Sequence, residues 1–506
     1  MGKFCDVMYK CGIPAVIFLM IVCGIIIRIK LVLINQSMWS DECSLYLNIS
    51  QADYWKFFKP LDWLQVAPPV FMVIEKLIFD LFKNVLPMEM ILRLFPCFCS
   101  IATLILLPLF VEKVYKNRVV TAMITFMTAF TPYVVNYANE VKQYSCELFV
   151  AVLVLMFFYF FDVKKFSKKT LIIFTFLISM APLLAFSSSF IIAAGSVIVL
   201  YNLYQNRKEI NFPVYSLCFL IPLVITEFSI YFFIVKPIFD DKYVELVTYF
   251  SVTEPCMFTL SSFYGKFSTT TQALFGNFCG IDYSHWHLFF WFSVVLLLVH
   301  NNKKLAFLLL GSVTVTVLAS FAHVYPYDCR LILFLFSVFS IIYVQAFLFL
   351  DKKCYSAITV IVLFVATMIA YNYHIDKYVI HRANIREAFM EMKKVNPELK
   401  NIIGPEGGLE TYSGVQAVLG INVWAEFDEK IFKEDMCDLP DDIYYVFLPD
   451  DTRFNADLRK MVINSVDFEL IPLYDSSGAE YRNVMKIRNL CTQNGHNVED
   501  DVEDDD

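Results

Sequence analysis

Asp41 and Glu42 stand side by side in the stretch NQSMWSDECSLYLNIS (35–50), directly after the first long apolar run of the chain, with Trp39 and Tyr46 close by. A carboxylate so placed can take the proton of a hydroxyl that is about to attack a neighbouring centre. Two adjacent acids can also divide the work, one as base and one as orienting group, and the sequence leaves their order open. Acids at the end of an apolar run are commonly plain solvated loop ends. What gives this pair weight is the company it keeps on one side of the membrane.

Two further stretches supply that company. In YANEVKQY (137–144), Glu140, Lys142 and Tyr144 mark the change from one apolar run to the next; on a helix Tyr137, Glu140, Tyr144 and Glu147 share a face. In HVYPYDCR (323–330), Pro326 suits the first turn of a helix, whose unpaired N–H groups then join His323, Tyr325 and Arg330. Donors and charge of that kind suit an anionic head group, above all a phosphate. Arg28, close to Lys30, and Arg93 add to the same field, because a cation inside an apolar span costs roughly 2.5–3.5 kcal/mol at mid-bilayer and generally has a task. The plain alternative is an interfacial belt of aromatics and salt bridges, with Arg330 reaching out to the interface.

The elements that hold these residues follow from composition. Of 506 residues 58% are hydrophobic, 17% aromatic and only 18% charged, which is too few charges for a water-soluble chain. Eleven apolar runs of spanning length fall at 12–34, 90–111, 119–137, 143–162, 170–187, 188–204, 213–235, 285–300, 304–322, 330–350 and 355–373. The first lacks a small-x-small cleavage site and reads as a retained signal anchor. The basic loops 112–118, 164–169, 204–209, 301–304 and 351–353 all fall in the cytoplasm only if PPVFMVIEKLIFDLF (68–82) does not span, which Glu75 and Asp80 also disfavour. That stretch is therefore expected in the plane of the outer interface. The expectation is an all-α polytopic membrane domain, 1–373, whose first outer loop, 35–89, carries in-plane helices. A small extracytoplasmic α/β domain follows at 374–490, with strands at 442–449, 467–475 and 479–489 and helices at 385–396 and 455–465, then an acidic tail, 491–506.

The net charge of −8 owes most to that tail, since EDDVEDDD (499–506) alone holds seven acids. Basic residues sit in short loops and not along one face, which excludes nucleic acid as a partner. Fourteen cysteines form no CxxC pair, and no glycine-rich phosphate loop opens a helix.

In order along the chain, Arg28, WSDE (39–42), QVAPP (65–69), RLFP (93–96), YANEVKQY (137–144) and YPYDCRLILFLFS (325–337) form a set. That set resembles bacterial polyprenyl-phosphate-sugar-dependent glycosyltransferases of the GT-C fold, the group with protein O-mannosyltransferase-like and lipid A aminoarabinose transferase-like proteins. The resemblance covers 25–165 and 320–350, and the middle by hydropathy alone. It implies an inner-membrane, multi-pass transferase whose active site faces away from the cytoplasm. Its donor would be a polyprenyl-phosphate-linked sugar, and its acceptor a hydroxyl on a lipid, glycan or protein. Asp41 would be the general base, with Glu42 beside it. Arg28, Arg93, Lys142, His323, Tyr325 and Arg330 would hold the donor phosphate, supported by Glu140, Tyr144 and Gln65. The sequence departs from the family twice. Lys142 replaces an arginine, losing the bidentate fork, and Gln65 stands where some relatives carry histidine beside the Pro-Pro pair. No cofactor is assigned; a divalent cation, if one is used, would fall to Asp41 and Glu140.

Two other classes compete. A transporter or flippase of envelope lipids or glycans needs broken or ionisable mid-span helices, for which Pro182, Pro222 and Glu227 are the candidates. A scaffold would not need the ordered acids and cations.

Overall fold

The computed structural model describes residues 2–63, 65–165, 167–237, 259, 261–275, 277–278, 281–282, 286–300, 302–350 and 356–377, then 386, 390, 393–394 and the strands 402–404, 419–420, 442–446, 468–475 and 483–489. The chain forms two compact units: 1–35 with 52–379, and 36–51 with 380–506.

The first unit is helical. Among the described residues six helices are long and apolar enough to cross a membrane: Cys5–Leu33, Met88–Tyr115, Ser188–Gln205, Phe212–Val235, Lys303–Phe321 and Ile358–Ile375. A bent pair, Arg118–Phe130 with Pro132–Asn139, and four shorter apolar helices, Tyr144–Phe160, Lys169–Leu184, Leu288–Val299 and Leu335–Leu348, occupy the other five apolar runs of the sequence. The helix Pro69–Phe82 stands apart from these. Its 14 residues rise only about 21 Å, against an apolar core of about 30 Å.

The first helix shows how the bundle is built. Ile13, Val16, Met20, Cys23, Ile27 and Leu31 recur at three- and four-residue steps and pack with Leu104, Val119, Ala122, Ala129, Leu363 and Ala370. Phe18, Ile29 and Leu33 lie exposed on the opposite side, as lipid-facing residues would. Gly24 permits close approach: a β-carbon there would meet Leu104 at 2.8 Å and Ala129 at 3.2 Å.

Arg118–Phe130 ends because Thr131 precedes Pro132 and takes the extended conformation such residues prefer, with ψ 121°; the two halves meet at 56°. The carbonyls freed there must find donors. The Met127 carbonyl keeps the last intrahelical bond, from the Thr131 N–H, and His374 Nε2 lies 2.8 Å from the freed carbonyl of Phe130. Arg28 takes those of Thr128 and Ala129, at 2.8 and 3.1 Å.

In the second unit the strands 442–446, 468–475 and 483–489 fall where the sequence placed them, antiparallel in the order 442–446, 483–489, 468–475. Two short strands, 402–404 and 419–420, extend the sheet in parallel. The expected helices at 385–396 and 455–465 lie largely outside the described residues, as does the acidic tail.

Pro222 does not break its helix, which runs unbroken through Phe212–Ile230, whereas the Lys169–Leu184 segment is interrupted at Met180, and Pro182 occupies the first turn of the piece that follows, Ala181–Leu184, where a missing N–H costs nothing.

Candidate functional site

Asp41 and Glu42 occupy the first turn of the helix Ser40–Gln51, in the second unit. Glu42 reaches back three residues, its Oε2 accepting from the Trp39 N–H at 3.2 Å. This is the acidic half of a capping box, and it gives Glu42 a local structural employment.

The other candidates lie in the first unit. The turn between the third and fourth apolar segments is not one helix, as the shared-face reading supposed. A short 3-10 turn, Tyr137–Asn139, gives way to an extended Glu140, and the helix starts only at Tyr144. A tight turn, Lys142 N–H to Glu140 carbonyl at 2.7 Å, reverses the chain between them, and Ser145 fastens the start of the helix to the Tyr137 carbonyl at 2.6 Å. The rings still meet: Tyr137 lies 5.0 Å from Tyr144, edge to face, and 5.8 Å from Tyr133. Glu140 and Arg330 are both near enough to act electrostatically on the Tyr137 phenol. Residues almost two hundred positions apart thus act on one phenol, that of Tyr137, which the sequence named only for the helix face it would share with Glu140, Tyr144 and Glu147.

The stretch 323–330 departs from the helix expected to open at Pro326. Regular helix begins at Leu335, and the residues before it form successive turns. Asp328 starts them, its side chain accepting from the Arg330 N–H at 3.4 Å and its carbonyl from the Ile332 N–H at 2.9 Å. The outward helix terminus is therefore absent at Pro326; an aspartate cap two residues on has replaced it. His323 ends the preceding helix at φ 54°, with Val324 N–H bonded to the Ala319 carbonyl and His323 N–H to that of Ser320. These are the two bonds of a Schellman cap, with His323 in the position glycine usually fills and its side chain exposed.

Tyr325 donates to the Leu331 carbonyl at 2.7 Å, and its ring meets Phe190 at 4.8 Å. Burial pushes its phenol well above the ordinary range, reinforced by the neighbouring acidic groups Glu147, Tyr144 and Asp328, so it stays a neutral donor. Glu147 faces Ser187, at the start of the helix Ser188–Gln205. Asp328 did not stand among the sequence candidates although it lies inside a chosen motif, and Glu147 entered there only for the helix face it would share with Tyr137, Glu140 and Tyr144.

Arg28 is fully buried, and besides the two carbonyls already named it bonds Ser100 at 2.8 Å and the Gly24 carbonyl at 2.9 Å. Four of its bonds thus go to the bundle itself. Arg93 is fully buried as well, in the second turn of Met88–Tyr115. Lys142 and Gln65, both buried, are bonded to each other, Nζ to Oε1 at 2.6 Å. Among the described residues no three His, Cys, Asp or Glu side chains gather as a metal site.

Around Tyr137 and Tyr325 the first unit thus gathers Tyr133 and Tyr144 with Glu140, Glu147, Asp328 and Arg330. The crystal structure of ArnT from Cupriavidus metallidurans bound to undecaprenyl phosphate aligns with this chain at a TM-score of 0.53 and 10% identity, over 93% of this chain and 97% of that one. The chain has the GT-C fold. The apo-state structure of the same ArnT agrees, at 0.51 and 10% identity over 93% and 98%. No protein-family model matches the chain, and no curated protein matches it. GT-C architecture is carried here by the order of the apolar segments and not by sequence identity.

Proposed function

We propose that this protein is an integral-membrane glycosyltransferase that moves a sugar from a polyprenyl-phosphate donor to an acceptor hydroxyl on the extracytoplasmic face. The observation that carries the reading is the fold shared with a solved structure that holds undecaprenyl phosphate, and Arg330 is among the charges that act on the Tyr137 phenol. Asp41 takes the acceptor's proton as the acceptor oxygen bonds to the anomeric carbon. The bond from that carbon to the phosphate oxygen breaks, its electron pair leaving with polyprenyl phosphate. One displacement inverts the anomeric centre. The leaving phosphate gains charge as the bond breaks, so the fixed cations Arg330 and Lys142, with neutral tyrosine donors, favour the transition state over the ground state.

The test is purified protein in detergent or nanodiscs, given polyprenyl-phosphate sugars of several kinds. Release of polyprenyl phosphate that depends on Asp41 supports the reading. No release from any donor, with lipid binding indifferent to the phosphate, sinks it.

A further inference from the structure

Gln65 stands in the sequence only as the residue near the Pro-Pro pair, and the structure gives it a task. Its amide is used at both ends. Nε2 donates to the Trp63 carbonyl at 3.1 Å, and Oε1 accepts from the Lys142 ammonium at 2.6 Å, across 77 residues of chain. The two partners fix which way the amide faces, because an ammonium offers only hydrogens and a carbonyl only lone pairs.

The loop that presents Gln65 is itself held. Gln65 N–H bonds the Asp62 carbonyl at 3.3 Å, and Gln143, next to Lys142, donates to the Val66 carbonyl at 3.3 Å. Trp63 sits at φ 61°, a backbone conformation that residues with a β-carbon seldom hold unless their surroundings demand it. The loop and the turn are therefore joined twice, once through each of two consecutive side chains.

A lysine ammonium rides on a flexible four-carbon stem, unlike the planar fork of arginine. Where arginine would be held by its own geometry, lysine needs an outside hold before it can act as a fixed charge. We propose that Gln65 is a positioning residue, whose amide locks the Lys142 ammonium as a fixed cation for the phosphate of the lipid donor. This deepens the functional reading above and rests on it.

The experiment compares Gln65→Glu and Gln65→Leu in the full-length protein, with undecaprenyl phosphate as probe and undecaprenol as its neutral control. Glutamate keeps the shape and the acceptor oxygen but brings a carboxylate onto the ammonium. Affinity for the phosphorylated lipid should then fall about tenfold or more in both variants, with undecaprenol binding unchanged, because leucine leaves the ammonium unheld and glutamate neutralises it. A merely structural Gln65 loses thermal stability in both variants, glutamate included because it sets an oxygen against the Trp63 carbonyl, while the folded protein keeps wild-type affinity for the phosphorylated lipid; that result overturns the assignment. Should Gln65→Glu not fold, Gln65→Asn shortens the reach by one carbon, and wild-type preference for the phosphorylated lipid in that variant overturns it equally. Loss of preference in Arg330→Ala with retention in Gln65→Glu removes this assignment alone. A wild-type protein with no preference for the phosphorylated lipid removes the functional reading and this inference together.

Discussion

Arg28 Nη2 donates to the Thr128 carbonyl at 2.8 Å, and this bond joins the first apolar helix to the broken end of the third. Removing the guanidinium leaves the Thr128 and Ala129 carbonyls without it, in a buried setting where each orphaned group costs about 1–3 kcal/mol. Arg28→Ala should therefore lower the thermal midpoint and the yield, while the protein that does fold keeps its affinity for polyprenyl phosphate. Lysine cannot reach the same four oxygens at once, so Arg28→Lys should recover little. Paired unfolding and lipid-binding curves check this; a stable variant with lost affinity would make Arg28 a ligand after all.

Asp41→Asn should abolish transfer with the fold intact, because an amide cannot accept the acceptor's proton. Glu42→Gln should cost much less, since glutamine also fills the capping box. Glu42→Ala should cost about 0.5–2 kcal/mol of helix stability, the usual worth of a cap. Turnover measured beside circular dichroism separates the two roles, and a normally active Asp41→Asn would move the base elsewhere.

Glu75 gives a pH dependence. Its carboxyl lies in Pro69–Phe82, outside the eleven apolar segments, with both oxygens buried and no hydrogen-bond partner. Burial, and then the neighbouring Cys99 thiol, push it well above the ordinary carboxylate range. A folded-state value above the unfolded one means that the folded chain holds the proton more tightly. Its contribution is therefore full below the unfolded value of about 4.3 and is lost as pH rises through the folded value. Glu75→Gln should flatten the fall of the unfolding midpoint between acid and alkaline pH. Glu75→Leu should also raise the midpoint at alkaline pH, by removing the orphaned oxygens. Midpoint curves parallel to wild type for both variants would clear Glu75 of the effect.

These residues show where the sequence was legible and where it was not. Hydropathy is a local property, so the eleven apolar segments and the strands near 442, 468 and 483 could be read directly. Both Glu75 and Asp80 argued against a span at 68–82, yet only Asp80 turns outward. It bonds Tyr54 and Lys83, each at 3.0 Å, and despite partial burial these bonds and the nearby Lys76 hold it below its usual value. Which acid faces the core depends on what packs against the helix, and no periodicity of that helix contains this. The helix start at Pro326 failed for a related reason. Proline permits a first turn, but the Schellman cap at His323 and the aspartate cap at Asp328 decide where winding resumes. The employment of Arg28 depends on carbonyls a hundred residues away.

Orientation can be tested with a native thiol. Cys11 is exposed, near the N-terminal end of the first apolar helix, and the positive-inside pattern puts that end in the cytoplasm. A membrane-impermeant maleimide should label it in inverted vesicles and not in intact cells. Labelling from outside would reverse the whole membrane arrangement and put Asp41 on the cytoplasmic face.

Arg330 bears most of the phosphate assignment. It acts on Tyr137 across the site, and its own backbone N–H is held by Asp328, so the residue is anchored from the turn that carries it. If its guanidinium holds the donor phosphate, Arg330→Ala removes a charge-assisted bond worth roughly 1.5–3 kcal/mol. Affinity for undecaprenyl phosphate should then fall about tenfold to more than a hundredfold, with undecaprenol binding untouched. Arg330→Lys should recover part of the loss, as a point charge replaces a fork that can meet two oxygens. The loss should shrink as salt is raised only if the phosphate is reached by solvent; in a closed mouth screening is weak, and the wild-type advantage should persist. Should Arg330→Ala bind the phosphorylated lipid as wild type does, the phosphate lies instead with Lys142 and Arg93.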